Sequence, residues 1–277
     1  MFTVAALAAG LAVGVTMGSP LTVMSYNIRY GTAPDGPDAW IHRRPRLMQV
    51  LRNHPADVVG LQEALAPQID EILAEFPALR TLGVGRDDGE HAGEFSAILY
   101  RSGRLFPRQQ GTFWLSDTPE TVASKSWGNR ITRICTWAKF EDSVSRRTIW
   151  VFNTHLDHES QPAREKGVDL ILRRIAAMTG GDPVIITGDF NAGESNPAVD
   201  RLRKAGFRDT WRVANPTAPE PGTFSGFRPE LGKDKIDYVW VDASWRVVSA
   251  RLVMDKVDDR WPSDHLPVMA ELALVEE

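Results

Sequence analysis

After residue 20 the apolar positions follow two different periods, and together these predict a mixed α/β protein. Short runs of alternating or continuous apolar residues predict strands, at 21–28, 57–62, 95–101, 111–115, 131–140, 147–155, 183–189, 236–242, 246–254 and 268–275. Apolar stripes at helical spacing predict helices, at 43–53, 66–76, 162–179 and 197–205. Because strands outnumber helices, a mixed two-sheet sandwich with outer helices fits better than a simple doubly wound parallel sheet.

One large domain, at about 21–277, is expected from this pattern. The sequence shows no internal repeat and no low-complexity tract that would divide it. The Pro- and Gly-rich stretch 215–234 is interpreted as a long surface loop, because an apolar strand pattern begins directly after it at Ile236. A chain of 277 residues with 43% hydrophobic and 25% charged residues can bury a sizeable core as a single α/β domain.

The net charge and the cysteine content exclude few classes of protein, although they bear on nucleic-acid binding and on disulfide formation. The net charge of −4 provides no global positive field for nucleic acid. This counts only weakly against a nuclease, because a bound divalent cation supplies local positive charge. Cys135 is the only cysteine, so no intramolecular disulfide can form. It lies within a strand pattern and is expected to be a small buried hydrophobe, not a reactive thiol.

The first 20 residues are expected to be a signal peptide or an N-terminal anchor. Residues 1–18 carry no charge and consist mostly of small and apolar residues. The segment lacks a basic n-region and a clean cleavage site, and its length is at the lower limit for spanning a bilayer. We therefore expect a secreted or cell-envelope protein, with membrane association only if residues 1–20 remain as an anchor. A cytosolic tail is the remaining alternative.

Acidic, amide and imidazole side chains occur where several predicted strands end. They belong to the segments ending at Asn27 and Glu63, to Thr154–His158, to Thr187–Asn191 and to Ser263–Pro267. Strand ends at one edge of a sheet converge in space, and α/β enzymes place their chemistry there. Hard oxygen ligands beside histidines and asparagines suit a Mg²⁺-dependent attack on phosphorus. The pattern therefore predicts a metal-dependent phosphoester hydrolase.

These segments, in this order, resemble the endonuclease/exonuclease/phosphatase superfamily with the DNase I-like fold. The resemblance runs from about Leu21 to Leu274, and the matching motifs are Ser25–Arg29, Gly60–Glu63, Asn153–His155, Gly188–Asn191, Ile236–Tyr238 and Ser263–His265. The resemblance implies a four-layer α/β sandwich with two central mixed β-sheets flanked by helices. It also implies that 21–277 is the catalytic domain.

By the same resemblance, an acidic set would bind Mg²⁺ or Mn²⁺. Glu63 would be the main metal ligand, since Mg²⁺ prefers one or two carboxylates and keeps several waters. Asp264 matches the second acidic ligand or a contact to metal-bound water. Asn27 can offer an amide oxygen to the ion or its water. Both ions suit oxygen ligands, so either is expected as the cofactor.

The resemblance also assigns the reacting groups. His265 is the candidate for polarising the attacking water or the phosphoryl oxygen, and Asp237 would hold it in the required tautomer. Asp189 is the competing general base, and the sequence does not decide between the two. Asn191 would orient Asp189 or bond a phosphate oxygen. His155 is expected to donate to the phosphoryl group.

Further residues are candidates for support and substrate binding. Glu94 matches an acid that pairs with the His155 position in the DNase I branch, or it is an exposed loop acid. Arg29 and Arg133 align with arginines that contact substrate phosphate, or they pair with neighbouring acids. Trp127 is the best candidate for a substrate-facing ring. The residues that extend the His155 motif either line the site or cap the next helix, namely Asp157, His158 and Arg164.

The motifs do not identify the ester. Relatives cleave DNA, RNA, tyrosyl-DNA linkages, sphingomyelin, and inositol and sugar phosphates. Leu65 and Ala92 stand where DNase I has groove-contacting residues, which argues against duplex-DNA cleavage of that kind. Phosphodiesterase or nuclease activity ranks slightly ahead, and the alternative is a phosphomonoesterase acting on small sugar, inositol or nucleotide phosphates.

The expected partner is therefore a phosphoester: nucleic acid, a phospholipid head group or a small phosphate ester. No stable protein partner is implied, and a monomer is expected. A non-catalytic binding module on the same fold would be expected to lose metal or histidine positions. Here Glu63, His155, Asp189, Asp264 and His265 are all present, which favours an enzyme.

Overall fold

The computed structural model describes residues 19–275, so most of the predicted signal or anchor segment, residues 1–18, lies outside the described residues. The strands are β1 (Leu21–Asn27), β2 (Val58–Gln62), β3 (Leu79–Leu82), β4 (Ile98–Arg101), β5 (Leu105–Trp114), β6 (Ile134–Asp142), β7 (Thr148–His155), β8 (Val184–Asp189), β9 (Arg208–Asp209), β10 (Asp237–Val241), β11 (Trp245–Leu252) and β12 (Val268–Leu274). The helices are α1 (Trp40–Asn53), α2 (Ala66–Glu75), α3 (Gln161–Met178), α4 (Pro197–Lys204) and α5 (Thr210–Ala214). Within residues 19–275, no helix is long and apolar enough to cross a bilayer.

The strands form two six-stranded mixed sheets. The first has the order β11-β12-β1-β2-β4-β3, and the second has the order β5-β6-β7-β8-β10-β9. The pairs β1–β2 and β7–β8 are parallel, whereas the other strand pairs are antiparallel. The predicted mixed two-sheet architecture is confirmed.

Three apolar clusters hold the layers together. Between the sheets lie inward-facing β-branched side chains, among them Val23, Val58, Val151, Ile185 and Val239. On the outer face of the first sheet, side chains of α1 and α2 pack against β1 and β2. On the outer face of the second sheet, α3 and α4 pack against β7, β8 and β10. The order helix, sheet, sheet, helix is the predicted four-layer α/β sandwich of the DNase I-like fold.

The elements that sequence periodicity misses are short or lie at sheet edges. The strand β3 has half-exposed and exposed residues, β9 has only two residues, and α5 has five. The strand β5 begins at Leu105 and not at 111, because its first half is mostly exposed and lacks the apolar signal. Edge strands face solvent and need no apolar run, so period-based prediction underestimates them.

The two parallel pairs determine where chemistry can occur. The strands β1 and β2 run parallel and end together at Asn27 and Gln62. In the second sheet β7 and β8 end together at His155 and Asp189, and β10 begins opposite, with Asp237 paired to Asp189. The polar strand ends of both sheets therefore meet at one edge of the sandwich.

Candidate active site

A cleft of about 370 Å³ lies at this edge. Most of the predicted site residues line it: Arg29, Glu63, Glu94, Arg133, His155, Asp189, Asn191, Asp264 and His265. Asn27 and Asp237 lie directly behind the lining and are hydrogen-bonded to residues in it. Other side chains complete the wall: Tyr30, Arg86, Ile131, His158, Phe224 and Ile236.

Three lining residues follow strand ends with an unusual backbone. Arg29, Glu63 and Asn191 have φ angles of 56°, 60° and 47°, in the left-handed region that non-glycine residues rarely adopt. Each lies one or two residues beyond the end of β1, β2 or β8. Backbone strain of this kind concentrates at functional sites, where the surrounding fold maintains it. Sequence reasoning could not find it, because no glycine signals the conformation.

A buried polar network joins the two sheets directly behind the cleft. Gln62 Nε2 donates to Asn153 Oδ1 at 2.7 Å, and Asn153 Nδ2 donates to the carbonyls of Leu61 and Ala97 at 2.8 Å. Gly60 faces this network, and a Cβ there would lie 2.1 Å from Thr187 Oγ1. These hydrogen bonds fix the ends of β2 and β7 relative to each other, and so position Glu63 opposite His155.

The acidic side of the cleft has the donor set of a hard divalent cation. Glu63, His155 and Asp189 each offer an atom within 4.8 Å of the other two. The side chain of Asp264 is nearly buried, and burial raises its pKa; it accepts from Ser263 Oγ at 3.3 Å, and its other oxygen lies 3.8 Å from Arg29 Nε. Carboxylate oxygens grouped in a largely buried place are what Mg²⁺ or Mn²⁺ binds. The residues present therefore fit such an ion.

Asn27 makes a different contact from the predicted one. Its amide nitrogen Nδ2 donates to Glu63 Oε1 at 3.0 Å and to Asp189 Oδ2 at 2.9 Å. Its amide oxygen accepts from the backbone N–H of Arg29. As placed, Asn27 bridges two carboxylates, and its amide would have to turn over to offer oxygen to a metal ion.

Asp189 lies at the centre of the site. Besides Asn27, it accepts from the backbone N–H of Asn191 at 2.9 Å, and its Oδ2 lies 3.4 Å from His155 Nε2 and 3.8 Å from His265 Nε2. Burial, followed by the charge of Asp237, raises the pKa of Asp189 to about 7. A carboxyl group with a pKa near neutrality is suited to accept a proton at physiological pH.

His265 and Asp237 form a buried pair. His265 Nδ1 lies 2.9 Å from Asp237 Oδ2. Burial by itself would lower the pKa of His265, but the carboxylates of Asp237 and Asp189 outweigh it and raise that pKa well above its usual value. The predicted orienting contact between these two residues is present, and it favours the imidazolium form.

His155 is neutral and has its ring orientation fixed by Asn191. Asn191 Nδ2 donates to the Leu156 carbonyl and lies 3.0 Å from His155 Nε2. Since an amide NH₂ only donates, Nε2 accepts and the ring proton is on Nδ1. Burial, followed by the charge of Arg133, lowers the pKa of His155 well below its usual value. In this tautomer Nε2 does not donate to a phosphoryl group, so that role stays a prediction.

Glu94 is held mainly by an arginine that the sequence did not single out. Arg86 donates to both of its oxygens, at 2.6 and 2.8 Å. The predicted partner, His155 Nδ1, lies 3.9 Å away, which is too long for a hydrogen bond. Glu94 lines the cleft and is not an exposed loop acid, although its closest contact is Arg86.

The predicted substrate-binding residues differ in their placement. Arg29 lines the cleft and makes a two-point ion pair with Asp35, so its contact with a substrate phosphate stays a prediction. Arg133 is buried, and its Nε and Nη1 have no hydrogen-bond partner among the described residues. Trp127 does not line the cleft. Its ring packs beside the outer helix layer and its indole N–H donates to Asp117, so the structure does not bring it to the site.

The structure shows the positions of the residues after His155, whose roles the sequence left open, and of Arg43, which the sequence did not indicate. His158 lines the cleft, whereas Asp157 accepts from the backbone N–H groups of Glu159 and Ser160 at the start of α3. The buried guanidinium of Arg43 donates to the carbonyls of Ile28 and Arg29 at 2.6 Å, and so braces the loop after Asn27. A buried arginine that binds only carbonyls and rings follows no periodic pattern, so no sequence signal marks it.

Several known proteins are similar to this chain in sequence and in architecture. A model of the Endonuclease/Exonuclease/phosphatase family matches residues 24–265. An endonuclease/exonuclease/phosphatase family protein from Bacteroides thetaiotaomicron is 32% identical, with a TM-score of 0.86 and coverage of 94% of this chain and 99% of that one. A mannosyl-6-phosphatase from B. thetaiotaomicron VPI-5482 is 33% identical, with a TM-score of 0.84 and coverage of 92% and 100%.

A more distant structure shares the fold alone. It is D. rerio TDP2 complexed with a single-strand DNA product, which is 18% identical with a TM-score of 0.72 and coverage of 92% and 99%. The family model spans both sheets and every strand end that carries a site residue. The chain therefore belongs to the Endonuclease/Exonuclease/phosphatase family and is a hydrolase of phosphoesters.

Proposed function

We propose that the protein is a divalent-metal-dependent phosphatase of small phosphate monoesters, with sugar phosphates as the leading class. The observation that carries this is the cleft, whose volume of about 370 Å³ suits one small molecule. The likeness to a mannosyl-6-phosphatase over nearly the whole chain supports the same class. The net charge of −4 provides no general attraction for a polyanion.

This reverses the order of preference that the sequence alone favoured. A phosphodiesterase or nuclease ranked slightly ahead there, on motifs shared by all branches of the family. The likeness to TDP2, at 18% identity, supports the fold and not a diester substrate. The monoester alternative therefore becomes the proposal.

The acidic side of the cleft would hold the metal ion. Glu63 would hold it together with Asp264, which lines the same cleft, and the ligand atoms of His155 and Asp189 lie within 4.8 Å of that of Glu63. When bound, Mg²⁺ or Mn²⁺ supplies positive charge to the phosphoryl oxygens and lowers the pKa of a water molecule. Arg133 supplies a second positive charge facing the same space: its buried Nε and Nη1 have no hydrogen-bond partner among the described residues, and the nearby carboxylate of Asp157 lies 3.8 Å from Nε.

The contacts of Asp189 and His265 and the directions of their pKa shifts support one division of the proton-transfer roles. Asp189, whose pKa is raised by burial and by the charge of Asp237, would accept the proton of the attacking water. His265 stays protonated beside Asp237 and stabilises negative charge that grows on the phosphoryl group. The water oxygen bonds to phosphorus, the ester P–O bond breaks, and the leaving oxygen takes up a proton from solvent and departs as the alcohol. In this scheme Asp189 is the base, and His265 is not.

The test is product analysis with the purified protein. Hexose 6-phosphates and nucleoside monophosphates would be offered beside single-stranded DNA, RNA and bis-p-nitrophenyl phosphate, each with Mg²⁺, Mn²⁺ or EDTA. The proposal expects metal-dependent release of inorganic phosphate from the monoesters, and no release by an Asp189→Asn variant purified in parallel. Diester cleavage without phosphate release from any monoester would overturn it.

A further inference from the structure

Two side chains line the cleft and are also exposed to solvent. Among the described residues that line it, only His158 and Phe224 are exposed, with a side chain that is 46% exposed in His158 and a whole-residue value of 41% in Phe224. The reacting groups lie deeper, with His155, Asp189 and His265 at 7%, 1% and 5%. The cleft therefore has a buried floor, where phosphoryl transfer takes place, and a rim formed partly by these two residues.

The free ring nitrogen of His158 carries a proton. Its Nδ1 lies 2.9 Å from Arg133 Nη2. A guanidinium only donates, so Nδ1 accepts, and the proton of the neutral ring is on Nε2. Glu159 Oε1 lies 3.6 Å from Nε2, which is too long for a hydrogen bond. His158 thus presents an unused N–H donor at the rim.

Phe224 presents an apolar face to the same cleft. Its ring meets the His265 ring edge-on at a centroid distance of 5.0 Å, and the backbones of the two residues form an isolated β-bridge. The ring is therefore fixed beside a reacting group while much of its surface stays open to solvent. An exposed large aromatic ring that lines a binding cleft is suited to contact an apolar surface of the ligand.

We propose that His158 and Phe224 form the subsite for the alcohol part of the substrate, and that this alcohol is a sugar. A pyranose ring has an apolar face of C–H groups and a rim of hydroxyls. The first matches the Phe224 ring, and the second matches the Nε2–H of His158. This inference rests on the proposed phosphatase function, because it takes the phosphoryl group to occupy the floor.

The experiment compares two phosphate monoesters that differ only in what the rim can contact. Mannose 6-phosphate has a ring and hydroxyls, whereas propyl phosphate has a similar primary alcohol leaving group without them. For His158→Ala and Phe224→Ala, kcat/KM for mannose 6-phosphate is expected to fall about 10-fold each, mainly through KM. The value for propyl phosphate is expected to change less than about 2-fold. His158→Gln, which keeps an N–H donor, is expected to recover part of the loss.

His42→Ala serves as the matched control, because His42 is an exposed histidine on α1 outside the cleft. Should a variant fold poorly by its melting temperature, His158→Gln and Phe224→Leu test the same contacts. An equal fall for both esters would mean that His158 acts only by holding Arg133, and would overturn the subsite. The subsite would also be overturned if no variant changed the ratio of kcat/KM for mannose 6-phosphate to kcat/KM for propyl phosphate. If the wild-type protein releases phosphate from neither ester, the proposed function itself fails, which is a different outcome.

Discussion

Asp237 Oδ2 lies 2.9 Å from His265 Nδ1, and this buried contact directs the other ring nitrogen of His265 toward Asp189, 3.8 Å away. The two residues come from different elements, since Asp237 begins β10 and His265 lies in the loop before β12. One carboxylate thus both keeps the imidazole charged and raises the pKa of the neighbouring carboxyl group. The Asp237–His265 contact thus influences the protonation of both His265 and Asp189.

Replacing Asp237 by Asn should therefore cost activity without unfolding the protein. The amide cannot stabilise the imidazolium, so we expect kcat for a hexose 6-phosphate to fall by about 10²–10⁴-fold. Steady-state kinetics and a melting curve measure the two effects. Asp200→Asn, on the exposed side of α4, is the control. A fall of less than about 3-fold would contradict the assigned role of the pair.

The raised pKa of Asp189 predicts a pH-dependent effect on stability in the metal-free protein. Its pKa is about 7 in the folded protein and 3.8 in the reference state, so between these values the folded protein holds a proton that the unfolded chain has lost. This contribution favours folding at low pH and is lost as the pH rises to 7. Asp189→Asn removes this group. Its free energy of unfolding, taken relative to that of the wild type, is therefore expected to increase by about a few kcal/mol as the pH rises from 4 to 7.

The measurement for Asp189→Asn is urea unfolding in EDTA at several pH values. The difference between the variant and the wild type reports Asp189 together with the groups coupled to it, Asp237 and His265, whereas groups remote from the site cancel. A difference that stays constant from pH 4 to pH 7 would show that the pKa of Asp189 is not raised.

Metal binding should stabilise the protein, and Glu63 should dominate the affinity. Mg²⁺ or Mn²⁺ is expected to raise the melting temperature above its value in EDTA, because a ligand bound only to the folded state stabilises it. In Glu63→Gln the metal concentration that gives half of this rise is expected to increase by at least about 10-fold. Glu75→Gln, a half-exposed acid on α2 outside the cleft, is the control. An unchanged midpoint in Glu63→Gln would remove Glu63 from the metal site.

A buried ion-pair network predicts a large stability difference between two neighbouring arginines. Arg104 donates to Asp57 and Asp142, whose side chains are 1% and 4% exposed. Arg104→Ala leaves these carboxylates short of a partner, so a loss of about 3–5 kcal/mol is expected. Arg101 also pairs with Asp57 but is 51% exposed, and its Ala variant is expected to lose less than about 1 kcal/mol. Equal losses in urea unfolding would refute the comparison.

Cys135 should be unreactive in the folded protein. It is fully buried on β6, and burial raises the pKa of its thiol, so the thiolate that reacts with disulfide reagents is scarce. We expect no labelling by a thiol-specific chromogenic disulfide under native conditions and complete labelling in denaturant. Stoichiometric labelling of the native protein on the same timescale would show that the β6 region opens readily.

The sequence predicts the larger elements and the strand ends of this protein better than it predicts contacts. Asn27, Glu63 and Asp189 could be found because each follows a clear apolar strand, and parallel neighbours end at the same edge. The partners of these residues could not be found. Arg86 lies in a loop and Arg43 at a helix start, and nothing in the periodicity shows that they bind Glu94 and the backbone carbonyls of Ile28 and Arg29.

Tautomers and orientations were likewise beyond the reach of sequence. The proton position in His155 depends on a single amide of Asn191, and the orientation of Asn27 depends on two carboxylates from different sheets. Such features arise only when distant segments meet. Trp127 shows the opposite case, since a loop tryptophan near Arg133 in sequence is held away from the cleft by its bond to Asp117.

The direction of β1 also has a practical consequence. This strand runs toward the cleft from Leu21 to Asn27, so Ser19 and Pro20, whose carbonyls are bound by Arg104, lie about 20 Å away at the opposite end of the sheet. A bead, a sensor chip or a fused carrier attached directly at Ser19 would therefore be joined to the end of the sheet opposite the cleft. Immobilised in this way, the enzyme would present its cleft outward, which makes surface-based substrate screening feasible.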